Sequence, residues 1–203
     1  MRLFDGGKAP NPRRVRVFLA EKGIKVPLAP VDMAAMGHRA PEVADRNPLR
    51  RLPVLELDDG TVITESVAIC RYFEELQPEP PLFGTGALGR ARVEEWQRRM
   101  ELNLMMPVAH AFRHIHPAMK EWEVPQIAEW GEANKPKALD FLALLDNELA
   151  AREFAAGDAY SIADITGMIA IDFMKPARIA VPEELGNVRR WHAMLAARPS
   201  AAA

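Results

Sequence analysis

The chain has 203 residues, of which 49% are apolar, and a formal net charge of −2. That length holds one large domain or two small ones, and that balance excludes both a disordered chain and a strongly basic nucleic-acid binder. Cys70 is the single cysteine, which excludes an internal disulfide, a paired-cysteine redox motif and a cysteine-rich metal site, and points to the cytoplasm.

From the N-terminus, MRLFDGGKAP lacks the apolar core of a signal peptide, and no apolar stretch along the chain reaches the ~18 residues of a membrane span. Residues 2–5 predict a short strand. Asn11 then reads as a helix N-cap with Pro12 at the first helical position, and Gly23 closes that helix. Residues 24–32 predict a strand that Pro27 and Pro30 confine to a sheet edge. A short helical piece over 41–45 leads into LPVLELDDGTVITES, residues 52–66. Here a proline heads a short strand, Asp58-Asp59-Gly60 makes a hairpin turn, and residues 61–63 form the return strand. Val67, Ile69, Cys70, Phe73 and Leu76 continue at helical spacing. Glu65 and Ser66 therefore sit at a helix N-terminus, where open N–H groups and the helix dipole favour a small carboxylate.

The stretch QPEPPLFGTGA, residues 77–87, has no period and reads as a boundary. Beyond it only helices are predicted, over 87–118 with Pro107 as a kink, 124–151, 162–173 and 188–197. Ser161 and Asp164 have the spacing of a capping box flanked by Tyr160 and Ile165, and this reads as structural. His110, His114 and His116 cluster, but His110 and His114 lack the glutamate that a zinc-protease helix carries between them, and no metal is expected. Met105, Met106, Phe112 and Trp122 suit either an adaptable apolar pocket or the core.

The hairpin segment with its Glu-Ser pair, together with the Ser161–Asp164 box, resembles the cytosolic glutathione transferases. The resemblance implies their fold: an α+β thioredoxin-like domain over 1–78, a linker at 79–87 and an all-α domain over 88–203. It also implies a set of site residues. Leu52 would offer its backbone to the cysteinyl part of glutathione, Pro53 would be the cis proline beside it, and Glu65 and Ser66 would hold the γ-glutamyl end. His38 and Arg51 would receive the glycine carboxylate, Arg51 through a two-bond clamp.

One departure matters. Most classes place a catalytic Tyr, Ser or Cys near the first strand or first helix, whereas here no Ser precedes Ser66 and no Tyr precedes Tyr72. Cys70 falls at an apolar helix position and reads as core. Asn11 is the nearest substitute, which makes the chain similar to the yeast-type and bacterial Asn-bearing classes. There a helix dipole with a histidine, here His110, and a water helps to form the thiolate. Arg13 and Arg14 lie in the first helical turn, where the dipole disfavours cations, and so suggest a nearby anion. The expected function is conjugation of the glutathione thiolate to a small hydrophobic electrophile by a cytoplasmic homodimer, with glutathione as co-substrate and no nucleic-acid or membrane partner. A glutathione-dependent disulfide reductase and a non-enzymatic binding or regulatory protein are the alternatives.

Overall fold

The computed structural model describes residues 1–203 and divides into two units, Met1–Leu82 with Pro199–Ala203, and Phe83–Arg198. The first unit carries a four-stranded sheet, β1 (Arg2–Asp5), β2 (Leu28–Pro30), β3 (Val54–Glu56) and β4 (Val62–Thr64), in the order β2-β1-β3-β4. β1 and β2 are parallel and joined through helix α1 (Pro10–Lys22), while β3 pairs antiparallel with both β1 and β4. Two prolines make β2 shorter than predicted and leave it at the edge, where missing donors do least harm. Helix α2 (Pro41–Ala44) is a single turn, and α3 (Ser66–Leu76) follows β4 directly.

The predicted hairpin is present, with its return strand one residue later than the pattern suggests. Leu57 N–H donates to Thr61 at 2.8 Å and Gly60 N–H to Leu57 at 3.1 Å, with Gly60 at φ 85°, a conformation that L side chains resist. α1 and α3 pack together. Val15, Phe18, Ile69, Cys70 and Phe73 are buried, so Cys70 is core, as its position predicts. Burial pushes its thiol far above the ordinary cysteine range.

Lys22 is buried at the end of α1. Its Nζ donates to the carbonyls of Gln77 at 2.8 Å, Pro78 at 3.2 Å and Pro80 at 2.5 Å, and pairs with Glu74 at 2.5 Å. One ammonium thus satisfies the chain just beyond α3, where helix carbonyls run out of donors. The segment 199–203 returns to the same unit, with Arg13 donating to the Ala201 carbonyl at 3.0 Å and Ser200 to Glu21.

The second unit is helical: α4 (Gly86–Met100), α5 (Met106–Ile115), α6 (Ala128–Leu149), α7 (Ile162–Met174) and α8 (Gly186–Ala196). Between α4 and α5 the residues Glu101–Met105 form a π-type turn. Pro107 sits in the first turn of α5, so the break predicted at this proline appears as a widened turn just before it. α7 is buried along most of its length, and its N-terminal box closes around Asp164. That carboxylate accepts from Ser161 N–H at 2.9 Å, Ser161 Oγ at 3.0 Å, Ala155 N–H at 2.8 Å and Trp191 Nε1 at 3.0 Å. No helix is long and apolar enough to cross a membrane.

Candidate functional site

The ladder register builds the site. Phe4 stands opposite Val54, and Val54 opposite Thr64. Continuing one and two residues past those pairs brings the exit of β1, the Leu52-Pro53 pair and the Glu65-Ser66 pair to one end of the sheet. The Leu52–Pro53 peptide bond is cis. Leu52 is 8% exposed, with its side chain in a cluster with Phe4, Val43 and Val54. It lies before β3 begins, outside the ladder, so no sheet partner claims its peptide groups. Asn47 supports the loop ahead of it. The Asn47 amide donates to the Arg51 carbonyl at 2.9 Å while its oxygen accepts from Leu49 N–H at 3.1 Å.

Glu65 takes φ 67° and ψ 118°, outside the regions a residue with a Cβ prefers. Such a conformation costs about 1–3 kcal/mol and persists only where its surroundings impose it. It turns the chain from β4 into α3 within one residue, and no side chain caps the helix. The first N–H groups of α3 therefore face outward beside the exposed Glu65 carboxylate and the Ser66 hydroxyl. Ser66 itself is 5% exposed, and its Oγ accepts from Arg14 Nη1 at 2.8 Å.

At α1 the structure corrects the expected cap. The N-cap is Ala9, not Asn11, and Asn11 is the second residue of the helix with an exposed side chain. Two prolines two residues apart could each occupy the favoured first turn, and Pro10 takes its first position. Pro10 and Pro12 have no N–H, and the Arg13 N–H is already bonded to Ala9 at 3.2 Å. Asn11 is thus the one residue at this N-terminus with a free backbone donor and a side-chain amide. The two arginines do not gather at α1 either: Arg14 reaches Ser66, and Arg13 reaches the returning tail.

His38 lies in a 3₁₀ turn, Gly37–Arg39, and is 6% exposed. A Cβ on Gly37 would come within 2.9 Å of the Asp32 carbonyl oxygen, so a glycine is needed for this turn to close. Burial, helped by Arg39, Arg51 and Arg50, lowers the His38 pKa and keeps the ring neutral at pH 7. Arg50 and Arg51 are both exposed. His38 is therefore a neutral hydrogen-bonding group within a patch of arginines.

In the second unit, His110 on α5 packs edge-on against Trp130 at 5.9 Å, and burial lowers its pKa as well. His114 accepts the Ile127 N–H at 3.1 Å through Nδ1, and His116 accepts the Ala118 N–H at 3.2 Å in the same way. Both spend a ring nitrogen on a backbone N–H, which leaves His110 as the member of the cluster without such a bond. Met105 is core and Met106 is 43% exposed, while Phe112 packs on Phe173 at 4.9 Å. Asn47 was not legible as a support of this site, and Arg14, which the sequence marks only as a cation suggesting an anion, was not legible as the partner of Ser66, because each acts through partners that only the fold brings near.

Comparison with known proteins follows the same division. Residues 9–76 match the family described as glutathione S-transferase, N-terminal domain, and residues 103–199 match glutathione S-transferase, C-terminal domain. Glutathione S-transferase 2 of Saccharomyces cerevisiae is 36% identical over 203 residues, spanning 98% of this chain and 87% of that protein. The crystal structure of a glutathione S-transferase domain-containing protein from Marinobacter aquaeolei VT8 superposes with a TM-score of 0.95 at 37% identity, over 98% of this chain and 99% of that one. A Gtt2-class glutathione S-transferase of Vibrio parahaemolyticus does so with a TM-score of 0.87 at 36% identity, over 98% and 95%. By nearly full-length identity, by both domain matches and by fold, the chain belongs to the glutathione S-transferase family.

Proposed function

We propose that this glutathione transferase binds the tripeptide along the sheet end described above and joins its thiolate to an apolar electrophile. The observation that supports the reading is the ladder register, by which Leu52-Pro53, the start of α3 and the exit of β1 that leads into α1 lie at one end of the sheet. In this reading Leu52 pairs with the cysteinyl part beside Pro53. Glu65 faces the γ-glutamyl ammonium, and Ser66 with the first N–H groups of α3 faces its carboxylate. His38 and Arg51 serve the glycine carboxylate, Arg51 as the cation and His38 as a neutral hydrogen-bonding partner.

Asn11 would stabilise the thiolate. A free thiol has a pKa near ~8.5, and each unit of depression requires about 1.36 kcal/mol. A hydrogen bond to an anion contributes ~1.5–3 kcal/mol, and Asn11 can give one from its backbone and one from its amide. After desolvation takes its share, a depression of roughly one to two units remains. His110, neutral and not tied to local backbone, is the histidine proposed to assist, by family resemblance. We also propose the domain division at 79–87, a homodimeric assembly and a cytoplasmic location.

Parallel turnover assays with a chloronitroarene and with a mixed disulfide of glutathione test the reading. Turnover of the arene at the higher rate is expected. Turnover of the disulfide alone would make the protein a reductase, and binding of glutathione without turnover of either would favour a non-enzymatic role.

A further inference from the structure

Arg14 is 1% exposed, lies near the N-terminal end of α1, and directs Nη1 at Ser66 Oγ over 2.8 Å. Burial penalises a charge. A guanidinium is the cationic side chain that holds its charge most firmly when buried. It also has donors only and no acceptor. A serine hydroxyl that accepts from it cannot return its own proton along the same line. The Ser66 Oγ–H must therefore be donated elsewhere. Ser66 is the first residue of α3, where the helix N–H groups also point outward.

We propose that Arg14 is a positioning residue for glutathione binding: it holds Ser66 Oγ as an acceptor on its inner side and thereby commits the hydroxyl proton to the γ-glutamyl carboxylate. This rests on the reading that the ligand carboxylate docks at Ser66. The cation behind the hydroxyl polarises the O–H bond and strengthens the donated hydrogen bond, since chains of hydrogen bonds reinforce one another. The incoming carboxylate in turn offsets the cost of the buried guanidinium. Arg14 makes no contact with the ligand in this arrangement. Its whole effect on binding passes through Ser66.

The test is a double-mutant cycle read by calorimetric titration with glutathione, using Arg14→Met, Ser66→Ala and the pair, with melting temperatures recorded alongside. Arg14→Met and Ser66→Ala should each weaken binding about tenfold, and the pair should also weaken it about tenfold, not about a hundredfold, because the two act as one unit. Arg14→Lys, which keeps an N–H donor but holds its charge less firmly when buried, should bind within about threefold of wild type, better than Arg14→Met. In turnover, Arg14→Met should raise KM for glutathione and leave KM for the electrophile unchanged, a split that general loosening of the fold would not give. Should Arg14→Met fail to fold, Arg14→Gln takes its place in the cycle, with about a threefold loss that disappears in the Ser66→Ala background. Multiplicative losses in the pair, or an Arg14 variant that folds and binds like wild type, overturn the proposal while leaving Ser66 as a ligand contact. An unchanged affinity in Ser66→Ala alone shows instead that the docking reading beneath it is wrong.

Discussion

Asn11 sits between two prolines that have no N–H to offer, so the anion-stabilising capacity of α1 is concentrated in one residue. Asn11→Ala removes the amide but leaves the backbone donor. The pKa of bound glutathione should rise by about one unit and the rate should fall about tenfold, without activity being abolished. Because Ala9 rather than Asn11 caps the helix, the melting temperature should stay within about 2 °C of wild type, less than the loss that removing a true N-cap would bring. Ultraviolet titration of the bound thiolate reads the first effect and a thermal melt the second. A thiolate pKa that stays in place would assign stabilisation of the anion to other groups, with His110 the first to examine.

Glu65, in the proposed site, should separate function from stability at a single position. Its φ of 67° is positive, where the Cβ of a glutamate is penalised and a glycine has none. Glu65→Gly should therefore leave stability unchanged or raise it by up to about 1 kcal/mol, while weakening glutathione about tenfold through loss of the carboxylate. Denaturant unfolding and calorimetry on the same sample check this. A variant that loses stability and keeps affinity would reverse the assignment.

At the scale of elements, the caps and turns follow local rules and were legible. Asp58-Asp59-Gly60, the Ser161–Asp164 box and the edge strand with its two prolines each need only a few neighbouring residues. Boundaries moved where two local rules competed: Pro10 and Pro12 both suit a first turn, and this displaced Asn11 from the cap. The parts that could not be read are those joined across long spans of chain. Ser66 lies 52 residues from Arg14, and Trp191 lies 27 from Asp164. An arginine in a helix pattern carries no mark of the distant hydroxyl it will meet.

The α7 box also makes a statement about pH. Burial pushes the Asp164 carboxyl from its ordinary 3.8 up to about 6. Below the lower value the group is protonated folded and unfolded alike. As the pH rises from 3.8 toward 6, the unfolded chain releases the proton more readily, so stability falls. The loss amounts to roughly 3 kcal/mol by the time the folded carboxyl is ionised. Asp164→Asn cannot titrate, so the stability of wild type relative to this variant should decline by about 2 to 3 kcal/mol between pH 4 and pH 7 in denaturant unfolding. A difference that stays flat would mean that the four donors around the carboxylate hold it ionised throughout.

At the scale of the whole molecule, the family resemblance and the prevalence of two-fold pairing among oligomers argue for a homodimer. Light scattering at micromolar concentration should give about twice the chain mass of 22.6 kDa. A monomer mass at that concentration would contradict it. The central claim is that the uncapped start of α3 is the anchor for glutathione, and calorimetric titration of glutathione into wild type, Glu65→Ala and Ser66→Ala tests it most directly. Wild type should bind, and each variant should bind about tenfold or more weakly, with melting temperatures within about 2 °C of wild type. Equal affinity in all three proteins would place glutathione elsewhere and contradict the account.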